Sequence, residues 1–320
     1  MAPSTGDPVL LLFLDGVGIG LDEPARNPFF ASRLPTLRSL LGGELPTLDR
    51  PRIEGPGGVA LPLDATLDVP GIPQSGTGQT ALLTGRNAPE LFGRHFGPWT
   101  PVRLRDLLDE ENLLTRAVDS GLPVAFANAY PRGWPGSRQS RRLAAPPLAA
   151  RSAGLLTRHA EELARGEAVA SEIVNRGWRL HMGFDSLPEV TPREAGVNLA
   201  RIAARNRLTF YAHYDTDHAG HRGETTEAVE ALERVDAFLG GIVDGADEKL
   251  VIVLASDHGN VEDVTAQHTR NPALGLVHGP GSREIASRLS RITDVADVIL
   301  ELVGVGSDIL GGRSGPVGGR

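Results

Sequence analysis

The run His213-Tyr214-Asp215-Thr216-Asp217-His218-Ala219-Gly220-His221 concentrates chemistry: three of the chain's nine histidines and two acids fall within nine residues. Charge on a solvated surface is usually Lys, Arg or Glu. Imidazole together with carboxylate is a ligand set for zinc or manganese, with an ordinary polar loop as the plainer reading. A second group is Ser256-Asp257-His258-Gly259-Asn260. Its adjacent Asp-His pair can present two ligands to one ion, or can cap a helix. His268 and His278 follow it. A third is Gln74-Ser75-Gly76-Thr77-Gly78-Gln79, a polar, glycine-spaced turn running into an apolar helix. Ser75 would stand at or near that helix's N-terminus, where backbone N–H groups favour an anion, or would act only as its N-cap. The pattern is not G-x-S-x-G and no Gly-Lys follows, so a nucleophile elbow and a P-loop both fail. The fourth is Asp15, followed by Gly16-Val17-Gly18-Ile19-Gly20. That spacing is GxGxG and not the dinucleotide GxGxxG, and Asp15 reads equally well as a turn residue.

Each group follows an apolar run or leads into a helix. The runs 9–14, 124–127, 208–212 and 250–254 carry no polar alternation, which predicts strands buried on both faces, as in parallel sheets covered by helices. Helical patterns are expected near 111–120, 192–206, 225–242 and 293–303. Thr191, Pro192 and Glu194 supply cap chemistry for the second of these. The expected fold class is α/β: a three-layer, mostly parallel sheet with helices on both faces. Sites in such sheets lie at the strand ends. Residues 131–190 break the pattern with Pro131, Gly133, Trp134, Pro135 and Gly136, the arginines 138, 141 and 142, and helical segments near 146–165 and 167–176. They read as a small, mainly helical cap insert between core segments 1–130 and 191–320. The Gly-rich tail from Gly311 reads as frayed.

Composition bounds the chemistry. The chain has 320 residues, 40% hydrophobic and 22% charged, enough for a sizeable core. Without cysteine there are no disulfides, zinc–thiolate sites or Cys nucleophile. A net charge of −8 argues against a general nucleic-acid partner. No apolar run approaches 18 residues, so no membrane span is expected. The 9–14 run lacks the flanks of a signal peptide, and a cytoplasmic setting is expected. Lys249 is the only lysine, which reads as genome composition.

Taken in chain order, these groups resemble the alkaline phosphatase superfamily, in its metalloenzyme branch of cofactor-independent phosphoglycerate mutase and phosphopentomutase. Leu14-Asp15-Gly16-Val17-Gly18-Ile19 resembles the opening strand and metal-binding Asp. Ser75-Gly76-Thr77-Gly78 with Gly85-Arg86 resembles the nucleophile turn. Asp217-His218-Ala219-Gly220-His221-Arg222-Gly223, Ser256-Asp257-His258-Gly259-Asn260 and Gln267-His268-Thr269 resemble the metal motifs. The resemblance implies an alkaline-phosphatase-like core and two divalent ions, Zn²⁺ or Mn²⁺. One would be held by Asp15, Ser75, Asp257 and His258, the other by Asp217, His221 and His268, with Ser75 as nucleophile. Three aspartates and a Ser75 alkoxide would then balance two divalent charges. His213, Asp215, His218 and His278 fall on no ligand position. Gln79 stands where both mutases carry His. Arg86, Asn87, Arg94, His95, Arg138, Arg141 and Arg142 are candidate contacts for a small phosphorylated substrate. The phosphoglycerate mutase carries a large inserted domain, whereas this chain offers only 131–190. The expected activity is therefore hydrolysis of small phosphate esters, with a sugar-phosphate phosphomutase as the alternative and a non-catalytic metal-binding module as the third reading.

Overall fold

The computed structural model describes residues 6–136 and 142–306. Arg138, Arg141 and the Gly-rich tail lie outside the described residues. Seven strands form one sheet: β1 (Val9–Leu14), β2 (Ile53–Glu54), β3 (Gly58–Leu63), β4 (Val124–Phe126), β5 (Leu208–His213), β6 (Val251–Ser256) and β7 (Ala273–His278). Their spatial order is β2-β3-β7-β6-β1-β5-β4. The run β6-β1-β5-β4 is parallel, whereas β7, β3 and β2 join antiparallel. The sheet is thus mixed, the expected parallel strands running from its middle to the β4 edge.

Alternation along β1 explains the three layers. Val9, Leu11 and Phe13 enter a core shared with Ala81, Leu82 and Leu83 of the Ser75–Thr84 helix and with the Asp294–Leu302 helix. Leu10, Leu12 and Leu14 enter the opposite core, against the Pro192–Ala203 and Thr225–Gly245 helices. A strand buried on both sides has no polar position to offer, and β1 is buried throughout. The Pro192–Ala203 helix starts with the anticipated capping box, Thr191 and Glu194 satisfying each other's backbone N–H, with Pro192 in the first turn.

Residues 131–190 differ in detail from the helical expectation. The segment near 146–165 divides into helices Ala145–Ser152 and Ala160–Ala164, separated by Gly154 at φ +71°. Residues 167–175 form no helix; they make isolated bridges Asn128↔Val169 and Ala170↔Ile173, and a helix starts only at Arg176. Leu148 and Ala149 pack into the first core, while Leu163, Ala170, Trp178 and Leu187 belong to a third, small cluster. Among the described residues, no helix is long and apolar enough to cross a membrane.

Candidate metal centre

The three central strands end at one level. Leu14 of β1 lies opposite both His213 of β5 and Ser256 of β6. The residues just beyond therefore emerge side by side: Asp15, the Asp215–Arg222 helix with Asp217 and His221, and Asp257-His258. Ser75 is the first residue of its own helix, every residue of which is buried. A Cβ on Gly76 would stand 2.1 Å from the Trp99 carbonyl oxygen, so only glycine lets the 96–99 segment press against this turn.

Around His258 Nε2 three oxygens gather: Ser75 Oγ at 3.0 Å, Asp15 Oδ1 at 3.4 Å and Asp257 Oδ2 at 3.6 Å. In a Ser-His-Asp triad the carboxylate meets the opposite ring nitrogen from the serine. Here both carboxylates share the serine's side, and Nδ1 faces the Gly259 carbonyl at 3.3 Å. One N–H cannot serve three acceptors. Asp15 Oδ1 and Asp257 Oδ2 are buried without a hydrogen-bond partner. Their other oxygens are occupied: Gln79 Nε2 donates to Asp15 Oδ2 at 2.9 Å and Gly16 N to Asp257 Oδ1 at 3.3 Å. Two orphaned carboxylate oxygens, an imidazole nitrogen and a hydroxyl aimed at one point fit a divalent cation.

The second group adjoins it. Asp217 and His221 are four apart on one helix and so share a face. His221 Nε2 lies 3.3 Å from Asp217 Oδ2, His268 Nε2 3.5 Å from Asp217 Oδ1, and the two Nε2 atoms are 3.0 Å apart. His268 Nδ1 lies 3.1 Å from the Pro73 carbonyl. That bond places the neutral ring's proton on Nδ1 and leaves the Nε2 lone pair free for a cation. The His258 and His268 rings stack at 4.1 Å, so the two groups are contiguous.

The electrostatics carry the same sign. Burial, then the Asp257 and Asp217 charges, holds the Asp15 carboxyl well above its usual range. Burial also raises Asp257, helped by Asp217. For Asp217, burial is outweighed by the hydrogen bonds of His221 and His268, and its pKa is lowered. Burial opposes the imidazolium of His258, but Asp257 and Asp15 push it up to about 10. Crowded acids of this kind demand positive charge between them.

Beside the clusters opens a cleft of about 320 Å³, lined among others by Ser75, Gln79, Tyr130, Trp134, Arg142 and Tyr214. Of the described substrate-contact candidates, only Arg142 lines it, its guanidinium 4.9 Å from the Trp99 ring centroid. Arg86 pairs with Glu111 at 2.6 Å. Asn87 caps the Ala88–Phe92 helix and bonds the Leu67 carbonyl. His95 reaches the Val69 carbonyl at 3.2 Å, and Arg94 lines a separate hollow with Gly71 and Ile72. These four are not brought to the cleft. Buried His213 bonds the Ser171 carbonyl, Asp215 pairs with Arg234, His218 lines the cleft, and His278 bonds the Gly57 carbonyl. Sequence reasoning gave no role to Gln79 or to Asn260, whose Nδ2 donates to Asp217 Oδ1 at 2.7 Å. It missed Glu262 altogether.

A family model described as the Metalloenzyme superfamily matches residues 187–306. Over 132 residues the chain is 30% identical to the 2,3-bisphosphoglycerate-independent phosphoglycerate mutase of Syntrophotalea carbinolica, an overlap of 38% of this chain and 26% of the mutase. The match thus spans about a quarter of that relative's length. The fold superimposes on a Pyrococcus horikoshii protein with a TM-score of 0.56 at 13% identity, covering 96% of this chain and 99% of that one. It also superimposes on the alkaline phosphatase of the Antarctic bacterium TAB5, with a TM-score of 0.50 at 12% identity, covering 96% and 100%. Residues 187–306 thus match the Metalloenzyme superfamily, and the chain has the fold of an alkaline phosphatase.

Proposed function

We propose that this protein is a two-metal phosphoryl-transfer enzyme that uses Ser75 as nucleophile and hydrolyses small phosphate esters. The observation that carries the reading is the convergence of Ser75 Oγ with two orphaned carboxylate oxygens on His258 Nε2. One cation would be held by Asp15, Ser75, Asp257 and His258, the other by Asp217, His221 and His268. The imidazole donors favour zinc or manganese over magnesium. When bound, such ions would lower the pKa of the serine hydroxyl and offset the charge of the phosphate. Ser75 Oγ, at a helix N-terminus that favours an anion, attacks phosphorus in line. The Oγ–P bond forms as the Ser75 hydroxyl proton passes to solvent, the ester P–O bond breaks, and the alcohol leaves with a proton from solvent. Water then cleaves the phosphoserine, giving inorganic phosphate and restoring the Ser75 hydroxyl. Gln79 holds Asp15 in place and is itself held by the Ala145 N–H. Residues 131–190 act as the cap in this reading, with Trp134 and Arg142 facing the substrate. A cytoplasmic setting belongs to the same proposal.

The test is inorganic phosphate release from a panel of small phosphate esters, with Mn²⁺ or Zn²⁺ and with chelator. Metal-dependent release is expected. The relatives' identity favours a second reading, a phosphomutase; isomerisation of a phosphate ester without phosphate release would select it. Two further outcomes are expected. His268→Ala should lower the metal content towards one ion per chain, since His258 and its partners remain; loss of both ions, or of neither, would contradict the partition. Arg142→Ala should raise KM about tenfold or more with kcat changed less, the worth of one charged hydrogen bond. Unchanged steady-state constants would remove Arg142 from the substrate.

A further inference from the structure

Glu262 has no place in the mechanism above, yet it is only 1% exposed and its carboxylate takes four hydrogen bonds. Oε2 accepts from Gly18 N at 3.0 Å and Asn260 N at 2.7 Å. Oε1 accepts from Thr269 Oγ1 at 2.5 Å and Asn271 Nδ2 at 3.1 Å. The donors come from two loops: the one after Asp15, and both ends of the long β6–β7 connection, which follows Asp257-His258 at one end and carries His268 at the other. A buried carboxylate is costly unless fully hydrogen-bonded, so these loops are locked around it. The packing leaves no slack. A Cβ on Gly259 would stand 2.3 Å from both Glu262 Oε1 and Thr269 Oγ1.

Besides Gly18, each carboxylate oxygen leads to a ligand of the second group. Through Oε1, Glu262 fixes Thr269, the neighbour of His268. Through Oε2 it fixes the backbone of Asn260, whose amide bonds both Asp217 Oδ1 at 2.7 Å and the Asp217 carbonyl at 3.1 Å. The two ligands thus governed, Asp217 and His268, lie 3.5 Å apart. The first group's Asp257 and His258 directly follow the end of β6 and depend less on this lock.

We propose that Glu262 is a positioning residue for the second cation, the one assigned to Asp217, His221 and His268; the inference rests on the two-metal reading. Outer carboxylates of this kind typically govern about 10- to 100-fold in metal affinity.

The experiment is titration of metal-free protein with Zn²⁺ against a chromophoric chelator, resolving two binding steps, together with melting temperature. Glu262→Gln places an N–H₂ where one of the oxygens accepts. The expected result is one step unchanged and the other weakened about 10- to 100-fold, with excess Zn²⁺ restoring occupancy. Thr269→Val, which deletes a single donor at constant shape, should weaken the same step by a smaller factor and serves if Glu262→Gln does not fold. A lower melting temperature with both steps unchanged would assign Glu262 a merely structural role and overturn the proposal. Equal weakening of both steps would overturn its selectivity. If the parent protein itself takes up fewer than two ions, the two-metal reading fails, and that outcome is visible before any variant is made.

Discussion

Ser75→Ala is expected to lower turnover of a phosphate ester by about 10³-fold or more, while both cations still bind and the fold persists. The hydroxyl's hydrogen-bonding neighbour is His258 Nε2, at 3.0 Å. Its removal deletes the attacking atom but leaves two carboxylates and an imidazole in the first group. The helix keeps its N-terminus, because its backbone conformation does not depend on the serine side chain: the N-cap residue is Gln74. Steady-state kinetics and metal analysis of the same preparation separate the effects. Mass spectrometry of the parent enzyme, quenched during turnover, should find phosphate on the peptide containing Ser75. Normal turnover by the alanine variant would take Ser75 out of the mechanism.

The second large effect is expected at Asp257. Asp257→Ala should lose the cation of the first group and, with it, activity by a comparable factor of about 10³. The side chain is fully buried, one oxygen has no partner and the other accepts the Gly16 N–H. Alanine also strands that buried N–H, at a cost of about 1–3 kcal/mol. Asp257→Asn is the cleaner variant, since its amide oxygen can still accept from Gly16 while its charge is gone. It should fold, hold at most one ion and be inactive. Retention of both metal and activity by either variant would defeat the assignment of Asp257 as a ligand.

How much of this could be read from the chain depends on what each element buries. β1, β5 and β6 were readable because helices cover both faces and leave an unbroken apolar run. β3 and β7 were missed. Gly58 and Pro62 interrupt β3, and Gly275 interrupts β7. Pro62 is tolerated because β2 pairs only with Val59 and Ala60, leaving that part of β3 free of the neighbour. The stretch 167–176 is apolar enough to suggest a helix, but Ala168, Val169, Ala170 and Ile173 are buried by tertiary packing, with Ile173 at φ +73°. The clustered residues Asp15, Ser75, Asp217, His221, Asp257, His258 and His268 were visible because metal-binding side chains group at strand ends and stand out by type. Arg86 and His95 were not separable from true substrate contacts, since an arginine's partner is set by tertiary structure; here it is Glu111. Glu262 carries no signal of its own. A single acid beside a buried Val261 shows its purpose only when the loop after β1 and both ends of the β6–β7 loop are seen to converge on it.

The pairing of β1 has a consequence for the order in which the molecule assembles. This first strand lies between β5 and β6, so the second of its partners, β6, is synthesised last but for the final strand and two helices. The Thr216 hydroxyl reaches back 201 positions to the Asp15 carbonyl, and the Gly16 N–H reaches forward 241 positions to Asp257. Contacts of such sequence separation form slowly. On the two-cation reading, neither pocket is complete before His258 and His268 have been made, because each draws ligands from beyond residue 213. Metal capture would then follow, not guide, the pairing of the central strand with both neighbours.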